Sequence, residues 1–214
     1  MSGGRLITIE GLDGAGKTTL ARSLAAEISA RGHAVELLRE PGGVLVSEHI
    51  RALVQDPDLE ISARAEALLY AAARAQLVEE RLRPLLASGA IVLLDRYVDS
   101  SLAYQGAGRA LGVQAVLAIN RFATSALEPD RTLLLRISPA AGRARQRRRA
   151  AEPDRLERES EQFFARVADA YDELARAEPA RVRTLDGSRA PEHVLADGRA
   201  AIADLLALEP LARD

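Results

Sequence analysis

The eight residues GLDGAGKT, from Gly11 to Thr18, constrain this chain more than any other feature. They fit the spacing G-x-x-x-x-G-K-[ST], follow the apolar run LITI at 6–9, and open the helical pattern TTLARSLAAEISAR. A strand, a glycine turn and a helix in that order gather backbone N–H groups and the positive end of a helix dipole around one point, which makes an anion site. The glycines permit the turn. Lys17 then reaches the outer phosphates of a nucleotide, and the Thr18 hydroxyl is placed to ligate magnesium. A chance glycine turn would reproduce the spacing but not the flanking strand and helix.

The remaining pattern repeats that alternation. Short apolar runs at 34–38, 90–95, 131–138 and, more weakly, 181–186 read as further strands. Helical patterns cover 47–55, 62 to about 87 with Pro84 as a kink or break, 113–128, 159–177 and 191–208. Strands separated by helices imply a five-stranded parallel sheet with helices on both faces. With 214 residues, no linker and no internal repeat, one domain over 1–214 is expected.

Composition narrows the chemistry. The absence of cysteine excludes disulfides, thiolate-bound zinc and a cysteine nucleophile. His33, His49 and His193 are too scattered for a metal cluster. A formal net charge of -2 argues against a protein that wraps nucleic acid, and the lack of a long apolar run argues against a membrane span. The start MSGGRLITIE enters a strand pattern without a leader, so a soluble, cytoplasmic protein is expected. Of the 29 basic residues only Lys17 is lysine. Where arginine has displaced lysine everywhere else, the survivor marks a place that needs a compact ammonium.

Two further constellations stand out. IVLLD ends in Asp95, followed at once by Arg96. A carboxylate and a guanidinium at the carboxyl end of a strand suit a metal ion and phosphates, although a strand-end turn aspartate is about as common. Tyr70 and Arg74 lie four apart on a helix and share a face, so a ring and a fork of donors could meet a nucleobase there. Taken alone, an ordinary core tyrosine beside a surface arginine is the commoner reading of that pair. No N-K-x-D motif and no D-x-x-G switch after a strand is present, which argues against a signalling GTPase.

IEGLDGAGKTT, REPGG with EHIR, LLYAAARAQ, DRYVDSSLAYQGAGR, and PDRTLLLRIS leading to DRLERES and FF occur in one order between about Ile7 and Tyr171. In these motifs the chain resembles the bacterial thymidylate kinases, phosphate-loop kinases that phosphorylate dTMP to dTDP with ATP and Mg2+. The resemblance implies an ATP site at Gly11, Leu12, Asp13, Gly14, Ala15, Gly16, Lys17, Thr18 and Thr19. It implies that Asp13 accepts a hydrogen bond from the dTMP 3′-hydroxyl, and that Arg51 and Arg96 bind the dTMP phosphate. Arg39, Glu40 and Pro41 would border that pocket, Pro41 through a cis peptide bond. Tyr70 would stack on thymine, Arg74 would read a thymine carbonyl, Ser101 and Gln105 would contact the base from the other side, and Tyr104 would fill the space of a ribose 2′-hydroxyl. Thr18 and Asp95 are the expected magnesium-site residues, and a homodimer is expected.

The run RARQRRRAAEPDR, 143–155, carries six arginines. The phosphate loop has none, so charge on the transferring phosphoryl must be neutralised from elsewhere. The resemblance makes this run an arginine-rich lid, with Arg145 toward adenine. Arg149 and Arg155 are the expected catalytic arginines, beside Lys17, Asp95 and Arg96, although spacing alone does not choose among Arg147, Arg148, Arg149 and Arg155. Two rival readings are a deoxynucleoside kinase, which would need a carboxylate base for a neutral hydroxyl, and a non-enzymatic nucleic-acid binder that uses the arginine run as its surface.

Overall fold

In the computed structural model, which describes residues 3–148 and 153–206, five parallel strands form one sheet in the order β2-β3-β1-β4-β5. They are β1 (Arg5–Gly11), β2 (Val35–Arg39), β3 (Ile91–Asp95), β4 (Arg131–Arg136) and β5 (Val182–Asp186). All five match the expected strands to within a few residues at each end. β1 is central, with Ile9 opposite Asp95 on one side and Leu133 on the other. The β2–β3 register sets Arg39 opposite Asp95. The carboxyl ends of β1, β2 and β3 therefore end side by side, and strand order reverses at β1, where open parallel sheets bind ligands.

Both faces of the sheet are buried, which is why its strands read as apolar runs. Ile7, Ile9, Leu93 and Leu133 pack with Leu20, Leu24 and Ile28 of α1 (Lys17–Ala30) and with Val194 and Ile202 of α9 (Pro191–Ile202). On the other face Leu6, Val92 and Leu94 meet Leu77 of α3 (Ala63–Leu77). Beside them Leu134 meets Phe163, Phe164 and Val167 of α8 (Glu161–Ala177). α2 (Leu45–Gln55) and α6 (Val113–Thr124) flank α3.

Three departures from the sequence expectation have local causes. Pro84 does not break the long helix. A π turn at Val78–Leu82 widens it before α4 (Arg83–Ala87), so the proline falls in the first turn of α4, where an N–H has no intrahelical task. The helix expected to reach 128 stops at Thr124, because Ser125 and Ala126 take left-handed backbone conformations. Two helical segments were not anticipated. α5 (Val98–Ser101) runs into a π segment at Leu102–Gly108, and α7 (Pro139–Arg147) occupies the first part of the arginine run. The signal for α7 was in the sequence: Ser138 accepts from Ala141 N as an N-cap, and Pro139 takes the first position. The helix expected over 191–208 ends at Ile202, and residues beyond 206 lie outside the described residues.

α7 rests directly on the phosphate loop. A β-carbon on Gly142 would lie 2.7 Å from the Asp13 carbonyl oxygen, and one on Gly14 would lie 2.5 Å from the Gly142 carbonyl oxygen. Two glycines thus let backbone meet backbone. Alanine is the better helix former by about 1 kcal/mol, so Gly142→Ala would stabilise a free helix. Against this rigid wall it is expected to destabilise the protein by about 1–3 kcal/mol. Chemical denaturation measures the sign, and a more stable variant would show that α7 is free to retreat.

Candidate active site

The loop from Gly11 to Thr18 wraps the start of α1, with Gly14 and Gly16 at positive φ where a side chain would be strained. Lys17 is buried, and its ammonium donates to the carbonyls of Gly11 (3.1 Å) and Leu12 (3.0 Å). Burial pushes its pKa down, and so does the Arg96 charge. Asp13, Asp95 and Glu10 pull it back up. Thr18 Oγ1 donates to Asp95 Oδ2 at 2.8 Å, so the two residues expected to hold magnesium sit side by side. Hard oxygen donors of this kind suit Mg2+. The described residues contain no cluster of three or more His, Cys, Asp or Glu side chains that could hold a metal ion.

Arg96 follows Asp95 with φ 73°, a left-handed conformation uncommon outside glycine. Its guanidinium donates to Asp13, to Gly11 O (3.3 Å), to Ser100 Oγ (3.1 Å) and to Tyr104 Oη (3.4 Å). Asp13 also accepts from Tyr104 Oη at 3.3 Å and lies 3.6 Å from Lys17 Nζ. Burial works against its ionisation, but Arg96 and Lys17 outweigh that and hold the carboxyl well below the usual range. An acid in a phosphate loop is thereby kept anionic between two cations.

The turn that carries Arg96 is held by Glu10, a fully buried carboxylate on β1. It accepts from Tyr97 N (2.7 Å), Ser100 N (3.3 Å), Ser100 Oγ (2.6 Å) and Tyr171 Oη (2.9 Å). Burial, with Asp99 nearby, raises its pKa. Sequence reasoning passed over Glu10. The available signal was an acid inside a strand otherwise buried throughout.

A cavity of about 290 Å³ opens beside the loop. All eleven residues expected to hold dTMP line it: Asp13, Arg39, Glu40, Pro41, Arg51, Tyr70, Arg74, Arg96, Ser101, Tyr104 and Gln105. Gly14, Gly16, Lys17, Thr18, Thr19 and Asp95 line it too, and so do Gln55, Ser100, Asp154, Leu156 and Glu157, which the sequence did not single out. The Glu40–Pro41 bond is cis, as expected. Arg39 grips Glu48 with two bonds of 3.0 and 2.9 Å, and Arg51 donates to Pro41 O at 3.0 Å. The Tyr104 ring stands edge-on to Phe163 and Tyr171, so its bulk is fixed.

Arg74 is less free than its expected task requires. It is 1% exposed, and each guanidinium nitrogen faces a protein acceptor. Nε donates to Glu40 Oε2 (2.7 Å), Nη1 to Ser101 Oγ (3.0 Å) and Asn120 Oδ1, and Nη2 to Tyr97 O (2.9 Å). Burial pushes Glu40 up to about 7 despite Arg74, and Glu40 Oε1 has no hydrogen-bond partner among the described residues.

Gly11 and Leu12 shape the loop from behind, and Ala15 lies in a second cleft behind the loop, with Gly16, Thr19, Arg145, Gly187 and Arg189. Arg145 donates to the carbonyls of Gly14 (3.2 Å), Gly187 (2.7 Å) and Ser188 (3.4 Å), so it ties the loop to the turn after β5. Arg143 pairs with Glu161 and lies over Phe164. Arg155 departs from its expected phosphate role. It is not among the residues lining the cavity. It donates to Val54 O (3.0 Å) and lies 2.6 Å from Glu66, and its backbone N–H donates to Gln55 O (3.3 Å). A buried carboxylate and the end of α2 claim it instead. Arg149 lies outside the described residues.

Comparison with known proteins agrees with this geometry. A family model described as thymidylate kinase matches residues 9–197. The chain is 48% identical over 204 residues to a thymidylate kinase of Deinococcus radiodurans, covering 95% of this chain and 98% of that one. It is 47% identical over 197 residues to a thymidylate kinase of Oenococcus oeni, covering 91% and 92%. The crystal structure of a thymidylate kinase from Ehrlichia chaffeensis superposes with a TM-score of 0.76 at 26% identity, covering 94% of this chain and 99% of that one. Likeness of this extent spans the phosphate loop and the whole cavity beside it, and the chain belongs to the thymidylate kinase family.

Proposed function

We propose that the cavity seats dTMP with its phosphate toward Lys17 and Arg96, and that residues 1–214 act as one catalytic domain. The activity is that of the family: the chain transfers a phosphoryl group from ATP to dTMP. The observation that carries the residue assignments is the convergence of all eleven expected dTMP contacts on one cavity that also holds Lys17 and Asp95. Arg96 and Arg51 bind the dTMP phosphate, Asp13 accepts from the 3′-hydroxyl, Tyr70 stacks on the base, and Tyr104 excludes a 2′-hydroxyl. The phosphate of dTMP is already an anionic nucleophile, so positioning and charge stabilisation dominate and no general base is required. Thr18 and Asp95 hold Mg2+, which when bound neutralises charge on the phosphates of ATP. Lys17 carries the fixed positive charge for the transferring group.

The base edge is read by what the protein leaves unsatisfied. Ser101 Oγ accepts from Arg74, which leaves its own proton free to donate to a thymine carbonyl. Gln105 Nε2 is taken by Glu66, which leaves Gln105 Oε1 to accept from thymine N3–H. Arg74 supports the edge from behind through Ser101. Family membership favours dTMP over thymidine as acceptor. With dTMP and thymidine as alternative substrates, ADP release is expected with dTMP alone. Lys17→Ala is expected to lower turnover by at least roughly 100-fold in a folded protein. Near-normal turnover, or a preference for thymidine, would reject the assignment.

Arg143, Arg145 and Arg155 each have a protein partner, which supports assigning the catalytic lid charge to Arg147, Arg148 or Arg149. An alanine scan of 143–155 is expected to lower kcat and kcat/KM together by about 2–4 kcal/mol at one or two of those three positions, with dTMP affinity nearly unchanged. A uniform small effect along the run would remove the lid role.

The chain acts as a soluble, cytoplasmic homodimer and does not bind nucleic acid. Among the described residues no helix is long and apolar enough to cross a membrane. Three helices, with α3 between α2 and α6, expose large apolar side chains: Leu45, Val46 and Leu53 on α2, Leu68 on α3, and Phe122, 90% exposed, on α6. Apolar surface spread over adjacent helices is the usual mark of an interface, and cyclic dimers are the commonest closed assembly. Phe122→Asp is expected to shift sedimentation from dimer to monomer. An unchanged sedimentation coefficient, or a monomeric wild type, would place the interface elsewhere or remove it.

A further inference from the structure

Glu66 is fully buried in the first turn of α3, does not line the cavity, and is a partner of Gln105 Nε2. Its carboxylate is the meeting point of three side chains, Gln105 and Arg109 from the segment after α5 and Arg155 from the end of the arginine run. Oε1 accepts from Gln105 Nε2 at 2.8 Å and from Arg109 Nε at 3.3 Å. Oε2 accepts from Arg109 Nη2 at 3.0 Å and lies 2.6 Å from Arg155 Nη2. Two guanidiniums thus compensate a carboxylate withdrawn from water, without which its burial would be costly.

The bond to Gln105 has a consequence for the cavity. A primary amide has a donor end and an acceptor end of nearly the same shape, and only its partners decide which end points where. A carboxylate has acceptors alone. A turned-over Gln105 would set its oxygen against the oxygens of Glu66, so the nitrogen stays on Glu66 and the oxygen is what remains for the cavity. Gln105 is 2% exposed and lines that cavity, so the choice is made out of reach of bulk water. Arg74, the other candidate reader of the base edge, has each nitrogen facing a protein acceptor.

We propose that Glu66 is a positioning residue for base selection: by holding Gln105 Nε2 it fixes Gln105 Oε1 as an acceptor, which selects a nucleobase with an N–H donor at that edge. This rests on the reading that the cavity holds the thymine of dTMP. Thymine offers N3–H there. Cytosine offers the lone pair of N3 and meets the oxygen with repulsion. Because Arg155 joins the same carboxylate, the end of the arginine run shares its anchor with the base-reading amide.

The test compares dTMP with dCMP as acceptors for wild type, Glu66→Gln, Gln105→Met and the double variant. Glu66→Gln keeps shape but offers a donor and an acceptor, so Gln105 is free to turn over. The dTMP:dCMP ratio of kcat/KM is expected to fall about 10-fold, the scale of one hydrogen bond, while KM for ATP stays unchanged. Gln105→Met is expected to lose the ratio to a similar degree, and the double variant to lose no more than either single one. A ratio retained in Glu66→Gln, losses that add in the double variant, or a rise in KM for ATP that matches the loss for dTMP would overturn the proposal. If Glu66→Gln does not fold, Gln105→Met decides: an unchanged ratio there leaves Glu66 nothing to orient. Calorimetric binding of dTMP and dCMP to the wild type separates the two levels of inference. No preference for dTMP removes the thymine reading together with the role of Glu66. A preference that survives every variant removes the role of Glu66 alone.

Discussion

The geometry of the site depends on one buried carboxylate, Glu10. It receives two backbone N–H groups and two hydroxyls, from the turn after β3 and from Tyr171 on α8. That turn holds Arg96 at φ 73°, a conformation of a non-glycine residue that persists only where its surroundings over-determine it. Arg96 in turn sets Asp13 and Tyr104, and Asp13 faces Lys17. The ends of β1 and β3 are therefore locked by polar bonds, not only by the sheet ladder. A charge buried with four donors is well satisfied, and removal of any one of them leaves a costly gap.

A second carboxylate–guanidinium system works on the far wall of the cavity. Arg74 joins Glu40 after β2, Ser101 and Tyr97 after β3, and Asn120 on α6. These contacts tie the segments that follow the paired strands β2 and β3 to each other and to α6. Arginine suits the role because its planar fork presents several donors at fixed angles, which lysine cannot do. Buried or half-buried arginines such as Arg74, Arg109 and Arg181 thus join separate elements, while the single lysine lies buried in the glycine loop. The arginine run divides in the same way. Arg143, Arg145 and Arg155 are connectors to α8, to the turn after β5 and to α3.

Much of this architecture was legible in the residues before any coordinates. GLDGAGKTT in its strand–helix context locates the phosphate site, because backbone geometry there depends on local sequence alone. The five apolar runs give the strands and imply a parallel sheet, since both of its faces must be covered by helices. The residues that the resemblance motifs lead one to expect around dTMP all line the cavity. Apolar periodicity failed where the backbone left regular helix geometry: a π turn absorbed Pro84, and left-handed residues cut α6 short at Thr124.

What only the tertiary structure decided is which partner each polar side chain takes. Arg74 and Tyr70 were correctly assigned to one helix face, but nothing local revealed that Arg74's nitrogens would face Glu40, Ser101, Asn120 and Tyr97. The resemblance makes Arg155 a candidate catalytic arginine of the lid, yet it lies on Glu66, 89 positions away in the chain by their numbering. The physical reason is one of range. Helix and strand periodicity, caps and glycine turns are settled within a few residues, and the sequence by itself determines them. A long charged side chain reaches across elements and pairs with whatever complementary group the folded core has left buried, and that is determined only when the chain has closed around it.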